Sequence, residues 1–97
     1  MNILFVHQNF PGQYLHIVQR LAKIGGHQLV ALGINPLDKS RELSSRLKYF
    51  QYSLGRGNAN NVHPLVMETE TKVIRAEGCA MAAEQLKKKG FMPDLIC

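Results

Sequence analysis

The first third of the chain changes between two hydrophobic patterns, and their order predicts a βαβ unit. An uninterrupted apolar run from Ile3 to Val6 indicates a buried parallel strand, and a polar, glycine-containing turn follows it over residues 7–12. From Gln13 to Ile24 the apolar residues recur at helical spacing and form one broad side of a helix, which includes Ile17 and Ile24. Two glycines at positions 25–26 end this helix, and Gln28–Gly33 resumes as a second apolar strand. We expect a right-handed crossover between the two strands.

The remaining two thirds predict two more strands and one long helix. Residues 35–46 have little periodicity and indicate a loop, whereas Leu47–Tyr52 is rich in aromatic residues and partly alternating, as in a strand. The turn-forming residues of 53–61 predict an exposed, mobile loop. A proline-free stretch from Leu65 to Lys89 favours a long helix, and Leu95–Cys97 begins another buried strand.

Together these elements predict an α/β fold, a Rossmann-like parallel sheet with flanking helices, comprising about four strands and two main helices. The first strand, residues 2–7, is expected in the centre of the sheet, between residues 28–32 and the strand that starts near Leu95. A parallel strand beginning at Leu95 needs more residues and its own crossover helix. We therefore expect the 97 residues to form an incomplete domain.

Composition and charge limit the partners and the cellular compartment that we expect for this protein. The formal charge of +5 is scattered along the sequence, so a nucleic-acid partner is not expected. The lysine run 87–89 suits a solvated helix end, and contact with an anionic membrane surface or a polyphosphate is the alternative. Two distant cysteines and the absence of a signal sequence or membrane span predict a reduced, cytoplasmic protein, with peripheral membrane contact left open.

The candidate ligand site lies where the first strand ends. In open α/β sheets the ligand crevice lies beyond the carboxyl ends of the strands, which here is the turn from His7 to Gly12. Gly12 permits close backbone approach, and the following helix N-terminus offers unpaired N–H groups to an anionic phosphate, although Pro11 removes one such donor. His7 has a second interpretation as a hydrogen-bonded structural histidine.

Four segments, in this order, resemble the N-terminal domain of bacterial family 4 glycosyltransferases. They are NILFVHQNFPGQY, GGHQLVAL, VHPL and KKKGFMPDLIC, which together span nearly the whole chain. The resemblance implies a GT-B enzyme, in which two Rossmann-like domains face each other across a cleft. The first domain mainly receives the acceptor, and the second binds a nucleotide-sugar donor.

On this resemblance, residues 1–97 are a partial N-terminal, acceptor-side domain without the C-terminal donor domain. The implied partners of the full-length protein are a nucleotide-sugar donor and a sugar or lipid acceptor. No catalytic residue, metal or cofactor is assigned to these residues, and the isolated chain is expected to be inactive because the donor-binding elements of the family lie in the other domain. The last strand is expected to expose an unpaired edge and apolar faces, which favours self-association. The resemblance also places the turn after the first strand at the cleft. The substrate-binding candidates are His7, Asn9, Phe10, Pro11, Gly12 and Gln13.

A small standalone flavodoxin-like binding or regulatory module is the alternative. A phosphorylated receiver needs an acidic cluster at strand ends, for which only Asp38 and Asp94 are candidates, and the turn NFPGQY does not match a dinucleotide-binding GxGxxG. The spacing of Glu70, Glu77 and Glu84 favours a solvated helical stripe over a catalytic carboxylate pair.

Overall fold

A computed structural model describes residues 1–37 and 46–97 and shows a four-stranded parallel sheet with helices on both faces. Most of the loop predicted for residues 35–46, with Asp38, lies outside the described residues. The strands are β1 (Asn2–Val6), β2 (Gln28–Gly33), β3 (Leu47–Gln51) and β4 (Leu95–Ile96). A short 3-10 helix (Gly12–Tyr14) precedes α1 (Leu15–Ile24), and α2 (Pro64–Lys88) connects β3 to β4.

The strand order is β3-β2-β1-β4, and every pairing is parallel. Ile3 of β1 pairs with Leu29 of β2 on one side and with Leu95 of β4 on the other. The backbone of Cys97 continues this pairing, since its N–H donates to the Leu4 carbonyl at 2.8 Å. The predicted parallel sheet with β1 in its centre is therefore confirmed.

Alternate residues of β1 and β2 enter two separate cores, one on each face of the sheet. On the α1 face, Val18 and Ala22 of the helix pack against buried residues of both strands. The predicted apolar side of α1 is too broad, because Ile17 and Ile24 are 53% and 62% exposed. Both residues lie about 100° or more around the helix from Val18, which is too far to reach the sheet.

The second core lies between the sheet and the C-terminal half of α2. Leu86 packs there with Phe91 against Leu4 and with buried residues of β2. A helix of 25 residues is about 37 Å long, roughly twice the length of a five-residue strand. None of the first ten residues of α2 is buried, so the N-terminal part of the helix extends past the sheet.

The predicted loop over residues 53–61 is exposed, and polar contacts fasten it to α2. The Glu70 carboxylate accepts a hydrogen bond from the Ala59 backbone N–H at 2.7 Å and lies 3.6 Å from the Arg56 guanidinium. The Asn58 amide donates to the Met67 carbonyl at 3.1 Å. Glu70 therefore holds a loop in place and is half-buried rather than part of a solvated stripe.

The predicted fourth strand exists, but its side chains are not buried. Leu95 and Ile96 are 47% and 64% exposed, because β4 pairs on one side with β1 and lies at the edge of the sheet. No helix within the described residues is long and apolar enough to cross a lipid bilayer.

Candidate functional site

The backbone after β1 is fixed by hydrogen bonds that involve His7. Its N–H donates to the Leu32 carbonyl at 3.1 Å, and its carbonyl accepts from the Phe10 N–H at 3.2 Å. The ring nitrogen Nδ1 accepts from the Asn9 backbone N–H at 3.1 Å. His7 is half-buried. These contacts fix the direction of the His7 ring.

Gly12 is required in this turn because the His7 ring lies against it. Its φ is +49°, in the left-handed region that favours glycine, and a Cβ built at Gly12 would lie 2.6 Å from His7 Cε1. The ring of Tyr14 meets the His7 ring edge-on at a centroid distance of 6.0 Å. The space beside Gly12 is therefore filled by the protein's own histidine, in the place where the sequence suggested that a ligand approaches.

The two residues between Asn9 and Gly12 point into the protein. Phe10 is 3% exposed and stacks on Tyr49 of β3 with ring centroids 5.8 Å apart, and Pro11 is buried as well. Asn9 and Gln13 are exposed. The six residues proposed from the sequence thus divide into three groups. Asn9 and Gln13 face solvent, Phe10 and Pro11 anchor the turn, and Gly12 accommodates the His7 ring.

Residues from the ends of β2 and β3 join this turn, and the sequence did not assign them to the site. The Asn35 side-chain amide donates to the Asn9 Oδ1 atom, and the Asn35 N–H donates to the Gln8 carbonyl at 3.1 Å. The Gln51 side-chain amide donates to the Ile34 carbonyl at 2.9 Å. We call His7, Asn9, Asn35 and Gln51 the polar rim. Their position at strand carboxyl ends was the signal that could have identified Asn35 and Gln51.

The polar rim consists of groups without a permanent charge. Amide side chains both donate and accept hydrogen bonds, which suits hydroxyl groups on a ligand better than phosphates or carboxylates. Behind the rim, the Tyr49 hydroxyl donates to the Asn35 carbonyl. Burial raises the pKa of Tyr49, so this hydroxyl stays protonated well above neutral pH and keeps donating.

Two features limit the other chemistry open to the described residues. No group of three or more His, Cys, Asp or Glu side chains in residues 1–37 and 46–97 is arranged to hold a metal ion. The Asp94 carboxylate accepts from the Asn2 N–H at 2.7 Å, at the amino end of β1 and so at the opposite edge of the sheet from the polar rim. Asp94 cannot contribute to an acidic cluster at the carboxyl ends, which weakens the receiver interpretation.

Comparison with known proteins bears on the part of the chain from β2 onwards. A model of the family described as "Glycosyl transferase family 4 group" matches residues 25–97, about three quarters of the chain. This range includes Asn35 and Gln51 of the polar rim, whereas His7 and Asn9 precede it. Searches of curated proteins and of solved structures return no significant match. The family match agrees with the resemblance carried by the sequence segments and with the observed parallel sheet, and the chain belongs to the glycosyl transferase family 4 group.

Proposed function

We propose that the chain is the acceptor-side domain of a GT-B glycosyltransferase, and that the polar rim binds hydroxyl groups of a sugar acceptor. Membership of the family gives the protein a role in glycosyl transfer. A second domain holds a nucleotide-sugar donor in this proposal, and transfer takes place in the cytoplasm. The 97 residues alone do not transfer sugar, because the residues that bind the donor in enzymes of this architecture belong to that second domain.

The observation that carries the proposal is the convergence of three amide side chains at the carboxyl edge of three adjacent strands. Asn9 and Asn35 follow β1 and β2, Gln51 is the last residue of β3, and the first two side chains are hydrogen-bonded to each other. That bond uses Asn9 Oδ1 and one proton of Asn35 Nδ2. It does not use the Asn9 amide nitrogen or Asn35 Oδ1, so one donor and one acceptor remain for a sugar hydroxyl.

His7 adds a defined donor to the same edge. Because its Nδ1 accepts the Asn9 backbone N–H, the neutral ring carries its proton on Nε2. In this tautomer Nε2 donates a hydrogen bond to an acceptor oxygen and does not remove a proton. We therefore assign His7 a binding role and no role as general base.

An NMR titration of the isotope-labelled chain tests the proposal. Neutral oligosaccharides are added to one series and nucleotide sugars to another, and the side-chain amide signals of Asn9, Asn35 and Gln51 are followed. We expect an acceptor-like saccharide to shift these signals, and nucleotide sugars to leave them unchanged.

The matched variants are Asn9→Ala in the rim and Asn61→Ala in the exposed loop before α2. Losing one hydrogen bond of ordinary strength lowers affinity about fivefold, so Asn9→Ala weakens saccharide binding by that factor and Asn61→Ala does not. Equal affinities for the two variants, or micromolar binding of a nucleotide sugar at the rim, would reject the acceptor assignment.

A further inference from the structure

A groove of about 630 Å³ runs between α2 and the edge strand β3, on the face of the sheet opposite α1. Its floor includes Phe50 and Tyr52, and its wall is the side of α2 that carries Gly78, Met81 and Leu86. This volume lies within the usual range for small-molecule sites. Of the four polar-rim residues, Gln51 also lines the groove, whereas His7, Asn9 and Asn35 do not, and the proposed acceptor role uses neither the apolar floor nor the α2 wall.

The groove is long and has a cation at each end. Arg56 marks one end, where it lies 3.6 Å from Glu70 on α2, and Lys89 marks the other end at the last turn of the helix. The lining of α2 between them runs from Ile74 to Lys89, a distance of about 22 Å along the helix axis. The site therefore fits an extended ligand better than a compact one.

The two ends differ in how far their charge is compensated. Arg56 already has the Glu70 carboxylate as a partner. Within the described part of the chain no carboxylate pairs with Lys89, and its ammonium lies 5.5 Å from the centroid of the Phe50 ring. Among the described residues, Glu77 supplies the only carboxylate that lines the groove. It lies twelve positions before Lys89, about 18 Å away along the helix axis. An anionic group is therefore favoured at the Lys89 end.

The middle of the groove favours an aliphatic chain. Phe50 and Tyr52 are half-buried, and Met81 is 61% exposed beside them, so apolar surface is available along the groove. A ligand with a flat aromatic ring would have to displace the Lys89 ammonium in order to stack on Phe50. A flexible chain can lie along the floor without disturbing that contact, and each methylene group that it buries adds to binding.

We propose that this groove binds a single-chain amphipathic anion, with its apolar chain along α2 and its phosphate or carboxylate group at Lys89. The apolar floor supplies affinity, and the lysine selects for negative charge. A free fatty acid and a lipid phosphate both present an anionic head group and an apolar chain to the groove.

Calorimetric titration of the chain with dodecyl phosphate, kept below its micelle-forming concentration, is the first test. We expect binding at one site, with at least tenfold weaker binding of dodecyl maltoside, which has the same chain and a neutral head group. Inorganic phosphate, which has the charge without the chain, should bind at least tenfold more weakly as well. Lauric acid in place of dodecyl phosphate shows which anionic head group is preferred. Failure of dodecyl phosphate to bind, or equal binding of the neutral amphiphile, would overturn the proposal.

Paired substitutions locate the site. Lys89→Glu should lower the affinity for dodecyl phosphate about tenfold, as expected from losing a hydrogen bond to a charged group, while Lys23→Glu on the opposite face makes the same charge change and should have little effect. Met81→Glu should abolish binding, whereas Met67→Glu, also exposed on α2 but outside the groove, should retain it. Circular dichroism confirms that each variant is folded.

Two results would show that the amphiphile does not bind in the groove. Equal losses from Lys89→Glu and Lys23→Glu would show that net charge alone attracts the amphiphile. Binding to vesicles of phosphatidylglycerol without any binding of monomeric dodecyl phosphate would show that the basic end of α2 contacts a membrane surface, and that the groove is not a ligand site.

Discussion

Substituting Gly12 by alanine tests how the turn after β1 is built. The added Cβ would lie 2.6 Å from Cε1 and 2.7 Å from Nε2 of the His7 ring, closer than atoms that are not bonded can approach. The ring has to move, and that movement breaks the hydrogen bond from the Asn9 N–H to Nδ1. The sequence suggested that Gly12 permits close approach of a ligand to the backbone, whereas the structure indicates that bulk at Gly12 displaces the His7 ring and lowers stability.

The expected loss has two parts. A non-glycine residue in the left-handed region costs about 1–2 kcal/mol, and an ordinary hydrogen bond contributes about 1 kcal/mol. Gly12→Ala should therefore lower the free energy of unfolding by about 2–3 kcal/mol. Gly26→Ala is the matched control, since Gly26 has a φ of +79° and no atom within 4 Å of the added Cβ. It should lose only the backbone part, about 1–2 kcal/mol.

Urea unfolding followed by far-ultraviolet circular dichroism measures both losses, because α1 and α2 supply the helical signal. The same substitution in a His7→Ala background removes the steric part, so the double-mutant cycle should give a coupling free energy of about 1 kcal/mol. If Gly12→Ala and Gly26→Ala lose the same stability, and the cycle shows no coupling, the His7 ring does not determine the choice of glycine.

Three further predictions concern stability. Gly78→Ala should raise the free energy of unfolding by about 0.5–1 kcal/mol, because helix propensity improves and the added Cβ would lie at an ordinary 3.4 Å from the Tyr52 ring. Gly90→Ala, at a φ of +95°, should lower it under the same urea assay, and the opposite sign for either variant would contradict the argument. Because burial raises the pKa of Tyr49, there is a range of alkaline pH in which the folded state keeps the phenolic proton and the unfolded state loses it. The contribution of the protonated Tyr49 to stability is therefore complete below about pH 10 and falls as the pH rises through the pKa of the folded state. Tyr49→Phe should lose about 1 kcal/mol at neutral pH with the hydrogen bond to Asn35. Above about pH 10 its stability should fall less steeply than that of the parent chain, and an unchanged alkaline slope would contradict this prediction.

The order of strands and helices could be predicted from sequence because each strand of the central pair is a short apolar run with a turn after it. Residues 3–5 and 29–33 are buried, on both faces of the sheet, which gives a continuous apolar pattern in the sequence. The exposure of Ile17 and of Ile96 could not be predicted in the same way. Whether an apolar side chain on a helix or an edge strand is buried depends on which other elements cover it, and that is a property of the assembled sheet.

The polar rim was predictable only in part, because the sequence shows strand ends one at a time. His7 and Asn9 were identified from the turn after β1. Asn35 and Gln51 became candidates only once β2 and β3 were known to lie in order beside β1. The burial of Phe10 was not predictable, since an aromatic residue in a polar turn gives no sign of the Tyr49 ring that it meets.

The turn after β1 has a buried part and an exposed part, and contacts between them hold the exposed amides at fixed positions. Phe10 is buried against Tyr49, and the Tyr49 hydroxyl donates to Asn35, whose side chain donates to Asn9. One short path of contacts thus joins the core to the exposed amides. Under the proposed acceptor role, amides that are already ordered would lose less conformational entropy when a sugar binds, so affinity at the rim would depend on the buried residues as well as on the exposed ones. The sequence placed Phe10 and Asn9 together as candidates, and the structure separates them into a buried anchor and an exposed amide.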